Sequence, residues 1–476
     1  MLGENRLRNA FLTLAGLAVL AAFMFLVDRL AAADDPIRGI VKFRGALTLF
    51  AIWGVATVSL NLINGTLGIL SLGHHGFMLI GGYTTGLLIL SEQARSRILL
   101  SARSQMTEGT LGLSVSNGLS ALGLDFLTTP ETLWVRFLIA VLFGGFAAAF
   151  AGMLVGIPSL RLRGDYLAIV TFGFGEIIRL SASTRLFAPL TNGALGFPGL
   201  PQEFGKGALW TFGFLVLTVF ALARLKYSSY GRAMEGIRED EVAAEAMGIN
   251  LAYHKVLGFV FSAFFAGIAG GLWVSWLGGV RLDFFLFQLT FFFLVALSAG
   301  GTGSITGVLL GTALVVFIRQ YGDPLEQSYS VATWLLILAV ALFIAAAGIF
   351  VYRLTRRLRP RVHWGIFVFA GIGLIASVIS LIDPGFIAGA FRGFGMRAIF
   401  LSVLLVVIMV FRPEGVTGRA EFSWAWLFRE RRDRPTDEER AQDAWLTNPD
   451  LARRLEIAGG KAEAGTGEGG AGNGDA

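Results

Sequence analysis

No cysteine occurs among the 476 residues, so the chain holds no disulfide and no thiolate metal site, and its redox compartment stays open. Charge is scarce too. Only 15% of residues are Asp, Glu, Lys or Arg, against roughly 25% in a soluble domain. Neither HExxH nor the P-loop pattern occurs, which excludes a zincin site and leaves any ATP chemistry to another chain. There are four histidines, and only His74 and His75 adjoin. The spans carry no nucleophile elbow, metal cluster or paired carboxylates, so a membrane-embedded enzyme is a poor reading.

What is abundant is apolar sequence. Hydrophobic residues make up 55% of the chain, with 41 Phe, 62 Gly and a mean hydropathy of +0.68. Apolar runs near 20 residues match a hydrocarbon core roughly 30 Å thick crossed at about 1.5 Å per residue. Backbone groups in lipid must be bonded internally, and the alternation of a barrel is missing, so the chain reads as an all-α polytopic helical membrane protein. Twelve spans are predicted, with ten to twelve compatible with the pattern: 10–27, 46–64, 68–90, 136–157, 166–181, 208–223, 256–279, 287–300, 304–320, 332–351, 363–382 and 398–412. A break in the third is expected near Ser71–Gly76. The N-terminal run also has features of a signal peptide (Arg6, Arg8, then Ala31 to Ala33); a retained first helix is favoured.

The net charge of +6 follows from loops rather than from a nucleic-acid footprint. With the N-terminus inside, the cytoplasmic segments are 161–165, 224–255, 353–361 and the tail from Arg412. Segment 353–361 alone holds five arginines, and external segment 322–331 has no Lys or Arg. The first external loop, with Arg29, Arg38, Lys42 and Arg44, votes the other way and is outnumbered. Both termini are therefore expected in the cytoplasm.

Small residues recur every fourth position in three rows: Gly144, Ala148, Gly152 and Gly156; Ala263, Gly267 and Gly271; Gly303, Gly307 and Gly311. Such rows allow close helix approach where lipid supplies no hydrophobic drive. The most polar internal stretch is Arg224–Lys255, with five basic and five acidic side chains. Within it a short helix is expected over 240–249, capped by Asp240 and ended by Gly248, with Val242, Ala243, Ala246, Met247 and Ile249 on adjoining faces. An amphipathic helix of this kind can enter a groove on a partner. Ser71, His74, His75, Tyr83, Thr84 and Thr85 place polar groups in an apolar stretch, as candidates for a substrate path or for interhelical hydrogen bonds. Glu176 and Arg179, one turn apart, are expected to pair.

GRAMEGIREDEVAAEAMGIN at 231–250 closely resembles the coupling loop of branched-chain amino-acid ABC transporter permeases of the LivM type. Five further blocks occur in the family's order: TLGILSLGHHGFMLIGGY at 66–83, LRLRGDYLAIVTFGFGEIIRL at 160–180, TNGALGFPGLP at 191–201, GGTGSITGVLLG at 300–311 and FRPEGVTG at 411–418. The resemblance implies an ABC importer permease fold in the bacterial inner membrane. It implies as partners two ATPase subunits, a second permease subunit forming a heterodimer, and a periplasmic solute-binding protein. ATP and Mg would sit on the ATPase subunits, with no cofactor on this chain. It also implies coupling through Gly231, Arg232, Arg238, Glu239, Asp240, Glu241, Ala243, Ala244 and Gly248. Against the family pattern EAAxxxG, Val242 replaces the glutamate and Glu241 lies one position earlier. The implied solutes are leucine, isoleucine and valine, with urea, short amides or other amino acids as the alternative. An ion-driven secondary transporter is the remote one, since Glu176 is its only intramembrane carboxylate candidate.

The expected organisation is an N-terminal helix and external segment (1–45), a core permease domain (46–320), an additional two-helix insertion (321–397), a last span with its cytoplasmic motif (398–427), and a tail that is charged and then disordered (428–476).

Overall fold

The computed structural model describes residues 22–27, 29, 38–100, 132–159 and 165–321, all within one compact unit. The expected spans 332–351, 363–382 and 398–412, most of 10–27, the arginine-rich segment 353–361, the FRPEGVTG block and the tail lie outside these residues.

Helix dominates, as full internal backbone bonding in lipid requires. The longer helices are α1 (Arg38–Asn61), α2 (His74–Ile89), α3 (Glu92–Leu99), α4 (Leu133–Ser159), α5 (Asp165–Ser181), α6 (Ala208–Lys226), α7 (Ser229–Glu239), α8 (Glu241–Ala246), α9 (Leu251–Leu277), α10 (Phe287–Gly300) and α11 (Ile305–Tyr321). Among the described residues, five stretches are long and apolar enough to cross a membrane: Val41–Thr66, Leu133–Ile157, Ala208–Lys226, Leu251–Leu277 and Leu282–Gly300. Ile305–Gln320 is a shorter apolar helix. The expected span 68–90 is interrupted: α1 runs into a π-helical turn, Leu62–Thr66, and helix resumes only at His74. The sixteen residues of α2 extend about 24 Å, short of the roughly 30 Å core.

Helix α9 is the hub, packed against α4, α2 and α1, while α10 pairs with α11 and α6 with α1. The first two small-residue rows face each other. A Cβ added at Gly267 would lie 2.6 Å from both the Ala148 Cβ and the Gly144 carbonyl oxygen, and one at Gly152 would lie 2.5 Å from the Ala263 Cβ. Those distances are inside van der Waals contact, so α4 and α9 approach backbone to backbone only because these positions lack side chains. Beside this seam, Trp53 is fully buried and packs on Phe292, Phe293 and Trp273 with ring centroids 5.5 to 6.2 Å apart.

At the end of α9 opposite α7 and α8, the 191–201 block folds back on the helix. β1 (Phe197–Pro198) pairs antiparallel with β2 (Gly279–Val280). Ser275 Oγ donates to Pro201 O at 2.7 Å, and the Gly199 and Leu200 amides donate to Gly278 O. Phe197 is fully buried, edge-on to Tyr83.

Candidate functional site

The polar stretch between α6 and α9 folds into a helical hairpin, each turn of which has a local cause. Ser228 Oγ accepts from the Gly231 amide and starts α7. Asp240 Oδ1 accepts from the Val242 and Ala243 amides at 2.8 and 3.1 Å and starts α8. Gly248, at φ +83°, ends α8 in the left-handed conformation that glycine tolerates, and Asn250 Oδ1 caps α9 through the Tyr253 amide. The expected helix over 240–249 is thus present, with its regular part at Glu241–Ala246.

The hairpin has two faces. Gly231, Met234 and Ile237, spaced three apart on α7, are buried. A Cβ at Gly231 would meet the Leu225 carbonyl oxygen at 2.5 Å, so no other residue fits that packing. On α8 only Ala244 is buried, at 5% exposure. Val242 and Met247 are 67% and 83% exposed, and Ala243, Ala246 and Gly248 are exposed beside them. Ile249 departs from the expected surface: it follows the glycine turn, is half-buried and packs toward Gly236. An apolar tip therefore stands beside Glu239 and Glu245, which are also exposed, while Arg232 at the start of α7 donates to Tyr227 O at 3.3 Å. Beside it a cleft of about 460 Å³ is lined by Glu241, Glu245, Gly248, Asn250, Leu251 and Lys255.

Glu241 and Arg238 join the hairpin to the rest of the chain. Glu241 Oε1 takes the Lys255 ammonium at 2.6 Å, and Lys255 is 4% exposed, so this pair locks α8 to the first turn of α9. Arg238 is half-buried, and its Nη1 donates to the Gly65 carbonyl in the π turn. Nearby, Lys226 Nζ donates to Gly303 O at 2.6 Å, and the Gly303 amide donates to Asn61 Oδ1 at 2.9 Å. Asn61 and Lys226 were not singled out in the sequence. An asparagine inside an apolar span and a lysine closing one were the available signals.

The polar residues of the interrupted span divide by environment. His74 is fully buried with Nε2 2.9 Å from Ser59 Oγ. The His75 amide donates to Thr290 Oγ1 at 2.9 Å, and its ring Nδ1 lies 3.1 Å from the same oxygen. Its Nε2 is 3.4 Å from Glu176 Oε1, while Arg179 donates twice to Glu176 Oε2, at 2.7 and 2.9 Å. The expected Glu176–Arg179 pair therefore extends to His75. Thr85 Oγ1 donates to Ala140 O at 3.3 Å and fills the space over Gly144 and Gly271, an interhelical role. Ser71 Oγ, His74 Nδ1 and Tyr83 Oη are buried without a hydrogen-bond partner among the described residues. Thr84 is half-buried.

A family model described as the branched-chain amino acid transport system permease component matches residues 43–347. The chain is 33% identical over 305 residues to the high-affinity branched-chain amino acid transport system permease protein LivM of Escherichia coli (strain K12), a match covering 57% of this chain and 62% of that one. It is 30% identical over 348 residues to the protein of the same description from Salmonella typhimurium, covering 66% and 69%. A probable LivM permease protein of Methanocaldococcus jannaschii is 22% identical over 290 residues, covering 58% and 80%. The chain thus spans less than two thirds of the length of the E. coli relative. No solved structure gives a significant match.

Proposed function

The chain belongs to the family of branched-chain amino-acid transport system permease components, and from that premise we propose that it is the membrane-spanning subunit of an ATP-driven importer of leucine, isoleucine and valine. In this reading it sits in a bacterial inner membrane with both termini in the cytoplasm. It pairs with a second permease subunit, receives solute from an extracytoplasmic binding protein, and is driven by two ATPase subunits that carry ATP and Mg.

The observation that carries the reading is the apolar tip of α8. Val242 and Met247 stand 67% and 83% exposed in a charged hairpin. Exposed side chains of this type are expected where a partner groove covers them. Asp240, Gly248 and the Glu241–Lys255 pair act one level below: they hold α8 in shape and fix it to α9. Val242, Ala243, Ala246 and Met247 form the contact surface, flanked by Glu239 and Glu245. Closure of the ATPase subunits would displace the hairpin, and α9, which continues from it, would carry that displacement to its seam with α4.

Ser71, His74, His75, Tyr83 and Thr84 remain the proposed path residues, whereas Thr85 is taken up by packing between α2, α4 and α9. A zwitterion with an apolar side chain can be met there by hydroxyl and imidazole groups without an unpaired buried charge. Ser71 Oγ and Tyr83 Oη, buried without partners among the described residues, are the groups best placed to take up a hydrogen bond from a solute.

The test is uptake of labelled leucine into proteoliposomes holding the full complex, with binding protein outside and ATP within. ATP-dependent accumulation of leucine supports the reading, and accumulation of urea in its place reassigns the solute. Uptake driven by an ion gradient without any ATPase subunit would overturn it.

A further inference from the structure

A polar cluster lies on the inward side of α7, opposite the exposed tip of α8. Four elements converge on it: the π turn that ends α1, the last turn of α6, α7 itself, and the loop between α10 and α11. Two cations provide the joints. Arg238 of α7 donates to the Gly65 carbonyl in the π turn, and Lys226 of α6, itself buried, donates to the Gly303 carbonyl. The third joint is the Gly303 amide on Asn61 Oδ1, which ties the α10–α11 loop to α1.

The backbone is shaped around Arg238. Gly68 and Gly303 have φ of +76° and +94°, a region that side-chain-bearing residues rarely enter. A Cβ at Gly303 would come to 3.0 Å from Arg238 Nη1, and one at Gly68 to 3.0 Å from the Arg238 Cβ. The turn that receives Arg238 is π-helical, a rare conformation frequent at functional sites. The acceptor in that turn is a main-chain carbonyl, so a shift of α7 acts directly on the backbone that ends α1. The π turn also leads directly into the Leu67–Gly73 break before α2, where the path candidates begin.

We infer that Arg238 is a positioning residue that transmits displacement of the α7–α8 hairpin to α1 and the α10–α11 loop, with Lys226 and Asn61 holding the far side of the same joint. The inference rests on the docking role of α8 proposed above, and it removes Arg238 from the surface that meets the ATPase.

The experiment uses the complete complex in proteoliposomes, comparing wild type, Arg238→Ala and Arg238→Lys. Leucine uptake and phosphate release are measured on the same vesicles, and co-purification of the ATPase subunits on the same preparations. Arg238→Ala is expected to keep the ATPase subunits bound and to lower leucine moved per ATP about tenfold. Arg238→Lys, which keeps the cation but loses the planar guanidinium, is expected to fall between the two. An unchanged ratio in Arg238→Ala overturns the inference. So does loss of the ATPase subunits from that variant, which would place Arg238 in docking after all. If the Arg238→Ala permease itself cannot be purified folded, a wild-type ratio in Arg238→Lys overturns it. Failure of the docking reading itself shows separately, as a wild-type permease that retains no ATPase subunit.

Discussion

Replacing Met247 with glutamate separates docking from folding. Met247 is 83% exposed and lies just past the end of α8, so the folded chain loses almost no buried area when it changes. Surface substitutions of this kind stay within about 0.5 kcal/mol, which corresponds to a shift in Tm of about 1 to 2 °C. If a partner groove covers Met247, the loss there is larger. Burying a methionine side chain contributes about 1.5 to 3 kcal/mol, or roughly 10- to 100-fold in affinity at about 1.4 kcal/mol per decade. An ionised carboxylate in an apolar groove adds a further penalty. The assay is a titration of purified ATPase subunits onto the permease in nanodiscs, with Tm recorded on the same samples. Binding weakened at least tenfold at unchanged Tm is the expected result. Affinity within twofold of wild type, with normal uptake, would refute the assignment of α8 as the docking helix. Ala244→Glu cannot serve here: Ala244 is 5% exposed, so its substitution damages the hairpin before any partner arrives.

Removing the carboxylate of the buried pair, by Glu241→Gln, leaves the Lys255 ammonium facing a neutral amide. A hydrogen bond to a charged group contributes about 1.5 to 3 kcal/mol, and the 29% exposure of the Glu241 side chain places the loss at the lower end. Tm should fall by a few degrees and recover in Glu241→Gln/Lys255→Met; a single variant as stable as wild type would show that the pair contributes nothing. Gly267→Ala pushes a methyl group into Ala148 and the Gly144 carbonyl and should cost about 1 to 3 kcal/mol. Gly213→Ala, with nothing within 4 Å of its added Cβ, should be neutral or stabilising by up to about 1 kcal/mol through helix propensity. Equal thermal shifts in the two would contradict the backbone approach of α4 and α9.

Features with local causes were legible in the sequence. Asp240 caps and Gly248 terminates through bonds to near neighbours, so both ends of α8 follow from spacing alone. The Glu176–Arg179 pair sits within one helix and was equally visible. The small-residue rows announced close packing but not its partners; that the Gly144 row meets the Ala263 row depends on how α4 and α9 lie in space. Side-chain direction was lost wherever the partner is distant in the chain. Arg238 sits in a motif shared with a coupling loop, yet its acceptor is 173 residues earlier, in a π turn that leaves no periodic signature. Thr85, a path candidate by polarity, is held by Ala140 O on α4, which polarity does not reveal. The ribbon joining Phe197–Pro198 to Gly279–Val280 is two residues long on each side, too short for any alternation pattern. Among the described residues, five stretches of spanning length and one shorter apolar helix are present where six of the twelve spans were expected, and α2 is shortened because the apolar, glycine-flanked segment Leu67–Gly73, with Gly68 at φ +76°, is not helical.

In an ATP-driven importer of this design the α7–α8 hairpin faces the cytoplasm, where ATP is available. A chain without cysteine allows a direct measurement: Met247→Cys introduces the sole thiol, at an exposed position. A membrane-impermeant maleimide should leave this variant unlabelled in intact cells and label it in inside-out vesicles, with protection when the ATPase subunits are bound. Labelling in intact cells would put the hairpin on the outer face and contradict the account.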